Sequence, residues 1–364
     1  MMRALKARPN IQTMAPYVQG QSEIGGIKNP IKLSSNEAPF GPSPKALAVI
    51  DQEKPYLHRY PDGDQSELRN ALARKYAIEP SRILCGNGSE ELILLLIRTF
   101  MEPGDELVMS EFGFVMYEVH GQAQGAKIVR APERNFRTDI DAILRAVTEK
   151  TKIVAIANPN NPTGTCLSGS EIERLHRELP PSVLLMIDSA YAEYATDKAY
   201  EPGLDIVRNA ENAVMLRTFS KIYGLAGLRI GWAYCPQAIA DMVQRIRTPF
   251  NTNRLALRAA VAALDDDEFV AKSQAHNQAA VARMMTGLQE IGLNPIPTET
   301  NFILVQFSID SPKTAERAAA HLLAAGIIPR PMGAPGLRHC LRISIGQDHE
   351  NEAALKALAQ FMTA

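Results

Sequence analysis

Between residues 82 and 217 the chain repeats one pattern, and that pattern restricts the fold more than any other feature. Short runs at 82–85, 106–109, 127–130, 152–157, 183–187 and 213–217 are nearly continuous in apolar residues, and helical stretches lie between most of them. Strands buried on both faces read as unbroken apolar runs, and strands alternating with helices close into a mostly parallel sheet covered on both sides. The spacing predicts a helix over 65–76 with Asp64 as its N-cap, and an apolar helix over 89–100 closed by Glu102-Pro103-Gly104-Asp105. After Pro249 the character changes. Residues 255–264 and 268–291 read as long amphipathic helices, followed by strands near 302–306, 327–330 and 341–345 and a helix near 314–325. The expected architecture is therefore α/β: an arm over 1–40 that partly joins the small domain, a large domain over 41–249, and a smaller α+β domain over 250–364. A chain of 364 residues can bury cores for both domains.

Composition narrows the function classes. The net charge of -1 gives no global field for nucleic acid or an anionic membrane. Cys85, Cys166, Cys235 and Cys340 are widely spaced, and the histidines are scattered, so neither a disulfide framework nor a metal site is expected. The basic N-terminus lacks the apolar stretch of a secretory leader, and apolar runs such as 92–97 are too short to span a bilayer. A cytoplasmic enzyme is the expectation.

In open α/β sheets ligands bind beyond the carboxyl ends of the strands, and the chemically notable residues fall mostly there. Lys221 sits in Thr218-Phe219-Ser220-Lys221-Ile222-Tyr223-Gly224-Leu225-Ala226-Gly227-Leu228-Arg229. A lysine amine can form an imine with an aldehyde, and Thr218, Ser220 and Arg229 can hold a phosphate. An aldehyde with a phosphate handle describes pyridoxal 5'-phosphate. Gly86-Asn87-Gly88-Ser89-Glu90-Glu91 follows a strand and opens a helix, so Gly88, Ser89 and Glu90 offer a helix start to the same phosphate; such a turn also serves as an ordinary cap. Phe112 can stack on a pyridine ring or pack in the core. Asp188 ends a very apolar strand and needs a partner, which a protonated pyridine nitrogen supplies. Tyr191, three residues on, can reach the ring's phenolic oxygen.

Asn158-Pro159-Asn160-Asn161-Pro162-Thr163-Gly164, together with the lysine segment, resembles the fold-type I pyridoxal-phosphate-dependent aminotransferases over essentially the whole chain. The strings 33–44, 59–63, 249–253, 330–333 and 340–346 are most similar to the histidinol-phosphate aminotransferase family. The resemblance implies a homodimer with shared active sites and a place in histidine biosynthesis. The reaction it implies is exchange between histidinol phosphate with 2-oxoglutarate and imidazole-acetol phosphate with glutamate. It also implies roles: Lys221 as base, Asn161 as donor to the phenolic oxygen and contact for substrate, Tyr60 reaching the neighbour's phosphate, and Tyr17 closing over substrate. Arg330 and Arg342 would clamp the substrate anion. Read alone, Tyr60 is equally a packed tyrosine, Tyr17 an anchoring contact, and each arginine half of a salt bridge. Two departures from the family pattern stand out: Ser189 follows Asp188 where glutamate is frequent, and Arg338 adds a charge near the clamp. An aromatic amino-acid aminotransferase and a threonine-phosphate decarboxylase-like lyase are the alternatives on this scaffold.

Overall fold

A computed structural model describes residues 5–364; residues 1–4, the start of the arm and of the basic N-terminus, lie outside it. With strands numbered in chain order, the first is β1 (Ile31–Lys32). The main sheet comprises β2 (Ile83–Gly86), β3 (Glu106–Ser110), β4 (Lys127–Ala131), β5 (Thr151–Ala157), β6 (Leu184–Asp188), β7 (Ala213–Thr218) and β8 (Gly231–Tyr234). Their spatial order is β2-β8-β7-β6-β5-β3-β4. All neighbours run parallel except β8, which is antiparallel to both β2 and β7. The even apolar character of β5, β6 and β7 follows from burial on both faces: Val154, Leu185 and Met215 face one apolar cluster, while Ile153, Met186 and Val214 face the other.

A four-stranded antiparallel sheet of order β12-β13-β10-β9 forms the smaller part, from β9 (Asn294–Pro295), β10 (Phe302–Gln306), β12 (Arg330–Pro331) and β13 (Cys340–Ser344). The segment expected as one strand over 327–330 is two: β11 (Ile327–Ile328) leaves to pair in parallel with β1, tying the N-terminal segment to this part. Helices Asp267–Glu290, Ala315–Ala324 and Asp348–Thr363 bury Met284, Leu322 and Leu358 in its core. Helix Arg254–Leu264 behaves differently. Ala256, Ala260 and Leu264 pack with Leu68 and Leu72 of helix Ser66–Tyr76 in the large cluster. The change in character after Pro249 therefore marks entry into a helix of the large core, and the smaller core begins beyond it.

Two local expectations are corrected. Helix Ser66–Tyr76 is preceded by Gln65 in the left-handed region, and Asp62, not Asp64, accepts from the Ser66 amide at 2.7 Å. Strand β8 has no counterpart in the sequence reading. Gly231 opens it where the backbones of Gly88, Ser89 and Arg217 converge on the position a Cβ would take. Only glycine allows that approach, and it draws the Gly88 turn against the end of β7. Among the described residues no helix is long and apolar enough to cross a membrane.

Candidate active site

The carboxyl ends of β5, β6 and β7 and the turn after β2 surround a small polar cavity of about 190 Å³. Ser89, Glu90, Asn161, Asp188, Tyr191, Thr218, Ser220, Lys221 and Arg229 all line it. On one side lies the anion cradle. Gly88 precedes helix Ser89–Phe100 with φ +87°, and a Cβ there would fall on the Arg229 guanidinium. The first-turn N–H groups of that helix have no intrahelical acceptor and point at the same space. Arg229 donates to Ser220 Oγ at 3.2 Å, and Thr218 Oγ1 accepts from the Ser220 amide at 3.1 Å. Glu90 is a carboxylate at this rim and cannot ligate an anion through its side chain. It lies 3.5 Å from His120 Nε2, which holds its carboxyl below the usual range; its main-chain N–H is the group that suits an anion.

Opposite the cradle, Asp188 is buried at 4% exposure. It accepts from Tyr117 Oη at 3.0 Å and from the Ala190 amide at 3.2 Å. Burial outweighs these bonds and the Lys221 charge, and raises its pKa to about 6. Between cradle and carboxylate stands Lys221, whose Nζ lies 3.5 Å from Asn36 O and 5.4 Å from the centre of the Tyr191 ring. Asn36 also donates through Nδ2 to Tyr191 Oη at 2.9 Å, and its Oδ1 accepts from Ser344 Oγ at 3.0 Å. One asparagine thus touches the lysine, the tyrosine and the smaller sheet.

The cavity opens into a larger pocket of about 780 Å³, and Phe114, Asn161 and Lys221 line both. Its far wall carries Tyr17, Arg330 and Arg342. Arg342 is half-buried, donates to Asn161 Oδ1 at 2.5 Å and to Ser34 O at 3.0 Å, and keeps a buried Nε without a partner. Burial without a carboxylate lowers its pKa. Such a cation is arranged for an anion from outside. Arg330 donates to Val18 O at 2.9 Å and so holds the arm beside this pocket.

Phe112, Tyr60 and Arg338 all lie off the inner cavity of this chain, Tyr60 being the one expected at a neighbour's site. Phe112 lines only the outer pocket and stacks on Phe136 at 6.1 Å; the inner cavity is lined instead by Phe114, together with Tyr191. Tyr60 is 79% exposed, stacks on Phe250 at 4.6 Å and reaches neither space. Arg338 is exposed and does not line the outer pocket. Tyr117 and Asn36 join the site; the sequence reading gave Tyr117 no role, and Asn36 entered it only as a member of the 33–44 string.

The residues present fit pyridoxal phosphate. The cradle matches a phosphate, the amine an aldehyde, and the buried carboxylate with only two neutral donors matches a protonated ring nitrogen. Fold and site together define an aminotransferase of class I and II, and the family model of that description matches residues 28–358. The histidinol-phosphate aminotransferase of Granulibacter bethesdensis is 46% identical over 98% of this chain and 96% of its own. That of Paramagnetospirillum magneticum is 44% identical over the whole of both chains. The crystal structure of histidinol-phosphate aminotransferase from Sinorhizobium meliloti in complex with pyridoxal 5'-phosphate superposes with a TM-score of 0.92 at 30% identity, covering 100% of this chain and 99% of that one. The chain belongs to the histidinol-phosphate aminotransferase family.

Proposed function

We propose that this protein is a pyridoxal-phosphate-dependent aminotransferase that interconverts histidinol phosphate and imidazole-acetol phosphate, with 2-oxoglutarate and glutamate as the other pair. One observation carries the reading: a lysine stands at the junction between a small cavity lined by Ser89, Thr218, Ser220 and Arg229 and a pocket walled by Arg342, which has no carboxylate partner and a buried Nε left without an acceptor. When bound, the cofactor supplies an aldehyde for the amine and a ring that withdraws electrons from the substrate carbon.

The chain's own residues do the rest. Ser89, Thr218, Ser220 and Arg229, with the amides after Gly88, hold the phosphate. Asp188 keeps the ring nitrogen protonated, and Tyr117 orients that carboxylate. Asn161 and Tyr191 would serve the phenolic oxygen, and Phe114 would pack on the ring. Lys221 Nζ would take the proton from the substrate carbon and deliver it to the cofactor carbon on the far side of the shared nitrogen, two atoms along. Arg342, assisted by Arg330 and closed over by Tyr17, binds the substrate's phosphate or carboxylate, since a forked cation serves both. The exposed Tyr60–Phe250 stack, beside exposed Leu57, supports a homodimer in which Tyr60 serves the neighbour's phosphate. A cytoplasmic setting suits such a biosynthetic enzyme.

The test is the visible absorbance of the holoenzyme on mixing with one amino donor at a time and no acceptor. Histidinol phosphate should bleach the cofactor band faster than phenylalanine. A preference for phenylalanine would assign the site to aromatic amino acids instead.

A further inference from the structure

Beneath the outer pocket, away from the reacting atoms, the hydrogen bonding of two side chains does not close. Glu133 Oε1 accepts from Ser110 Oγ at 2.5 Å and from the Phe112 amide at 3.3 Å. Asn160 Nδ2 donates to Thr163 Oγ1 at 2.9 Å and to Phe112 O at 3.3 Å, and approaches Glu133 Oε1 at 3.5 Å. The neighbouring hydroxyls fix the direction of these bonds. Thr165 spends its proton on Phe136 O at 2.8 Å, so Thr163 donates to Thr165 and must accept from Asn160. The Asn160 amide therefore cannot be turned round. What remains is Glu133 Oε2 and Asn160 Oδ1, both buried and neither with a donor. The two side chains already approach at Oε1 and Nδ2; two acceptors cannot satisfy each other, whereas one proton on Oε2, brought to Oδ1 by a small rotation, would satisfy both. Of the two groups, only the carboxyl takes up a proton in the ordinary pH range.

We propose that Glu133 is a positioning residue held as the neutral acid, which donates from Oε2 to Asn160 Oδ1 and so fastens the outer-pocket wall at Phe112 to the turn carrying Asn161. The surroundings agree. From the end of β3 Glu133 meets Ser110 and the like-charged Glu111, whose Oε2 accepts the Glu133 amide at 3.3 Å. On its own loop, Thr138 donates to the same Ser110 hydroxyl, and the adjacent Arg134 is paired with Asp139. From the turn Glu133 meets only uncharged side chains. No lysine, arginine or histidine pairs with it among the described residues, and burial with the Glu111 charge raises its pKa. The consequence reaches the substrate through Asn161, whose Oδ1 receives Arg342. This role rests on the reading that the outer pocket takes the substrate.

Two measurements on the holoenzyme test it. The infrared difference spectrum of wild type minus Glu133→Gln at neutral pH, without substrate, should show a protonated carboxyl stretch lost on substitution. In kinetics with histidinol phosphate, the wild-type KM should rise about tenfold as pH increases through the ionisation of Glu133, the worth of one lost buried hydrogen bond. Glu133→Gln, which keeps both the donor and the acceptor, should hold the low KM across the range with kcat unchanged. Glu133→Ala should show the raised KM at every pH. Absence of the carboxyl band, the same alkaline rise in wild type and Glu133→Gln, or failure of Glu133→Gln to fold would each overturn the proposal. Wild-type inactivity toward histidinol phosphate would fail the substrate reading instead, and the infrared result would still decide the protonation state.

Discussion

At the scale of single residues, the site is governed by groups that burial leaves short of partners. Asp188 is the sharpest case. Its folded pKa of about 6 lies above the ordinary 3.8, so the cofactor-free fold favours the neutral acid. That contribution is complete below the ordinary value and is lost as pH rises through the folded one. Between about pH 4 and pH 7 the cofactor-free protein should lose on the order of 3 kcal/mol from this residue. Thermal unfolding of wild type and Asp188→Asn, both without cofactor, checks this: the two should diverge across that window, and parallel curves would contradict it. Gly88 makes a second case. Alanine at φ +87° and ψ 163°, a region only glycine adopts readily, costs about 1–3 kcal/mol of backbone strain and displaces Arg229. Gly88→Ala should weaken cofactor binding by about tenfold or more in equilibrium dialysis. Unchanged affinity would mean that the cradle is not where phosphate sits.

At the scale of elements, one ion pair fixes the geometry on which those residues depend. Arg217 precedes Thr218 at the end of β7, and Glu193 follows Tyr191 by two. They meet at 2.6 Å with both side chains buried, and Arg217 lies over the rings of Tyr76 and Trp232. Removing one partner strands a buried charge, whereas replacing both need not. Glu193→Leu alone should cost about 3–5 kcal/mol in urea unfolding, and Glu193→Leu with Arg217→Met should recover most of that loss. Equal losses would show that the pair is not an energetic unit. The sequence displayed the strands around this pair because burial on both faces leaves an apolar run. It hid β8, which is four residues long, opens on a glycine and comes soon after Arg229 at positive φ, so it carries neither alternation nor a turn signal. The site divides in the same way. Lys221, Asp188 and Asn161 are legible because each lies at a strand end within a distinctive local string. Tyr117 and Asn36 are not, since their partners lie 71 and 155 residues away and only the folded chain brings them together. Phe114 is hidden for a related reason: two aromatics two residues apart look alike in sequence until the helix start beside them is placed.

At the scale of the whole molecule, the outer pocket is walled by the arm at Tyr17, by the large sheet's loops, and by β12 and β13 of the smaller sheet. The proposed homodimer adds Tyr60 from the neighbour. Shared sites make a specific demand on mixed subunits. Tyr60→Ala and Lys221→Ala proteins, each of low activity alone, should recover up to about a quarter of wild-type turnover when co-refolded. Random pairing makes about half the dimers mixed, each with one site holding both native residues. No recovery, with exchange verified by mass spectrometry, would place Tyr60 outside the neighbour's site.

The central claim is that Lys221 Nζ is the nitrogen that carries the cofactor. Borohydride reduction of the cofactor-saturated enzyme, then proteolysis and mass mapping, tests it directly. A pyridoxyl group should appear on the peptide containing Lys221 and be absent from Lys221→Ala, which should still bind the cofactor noncovalently without turning over. A pyridoxyl group on another lysine, or none on any peptide of the saturated protein, would contradict the account.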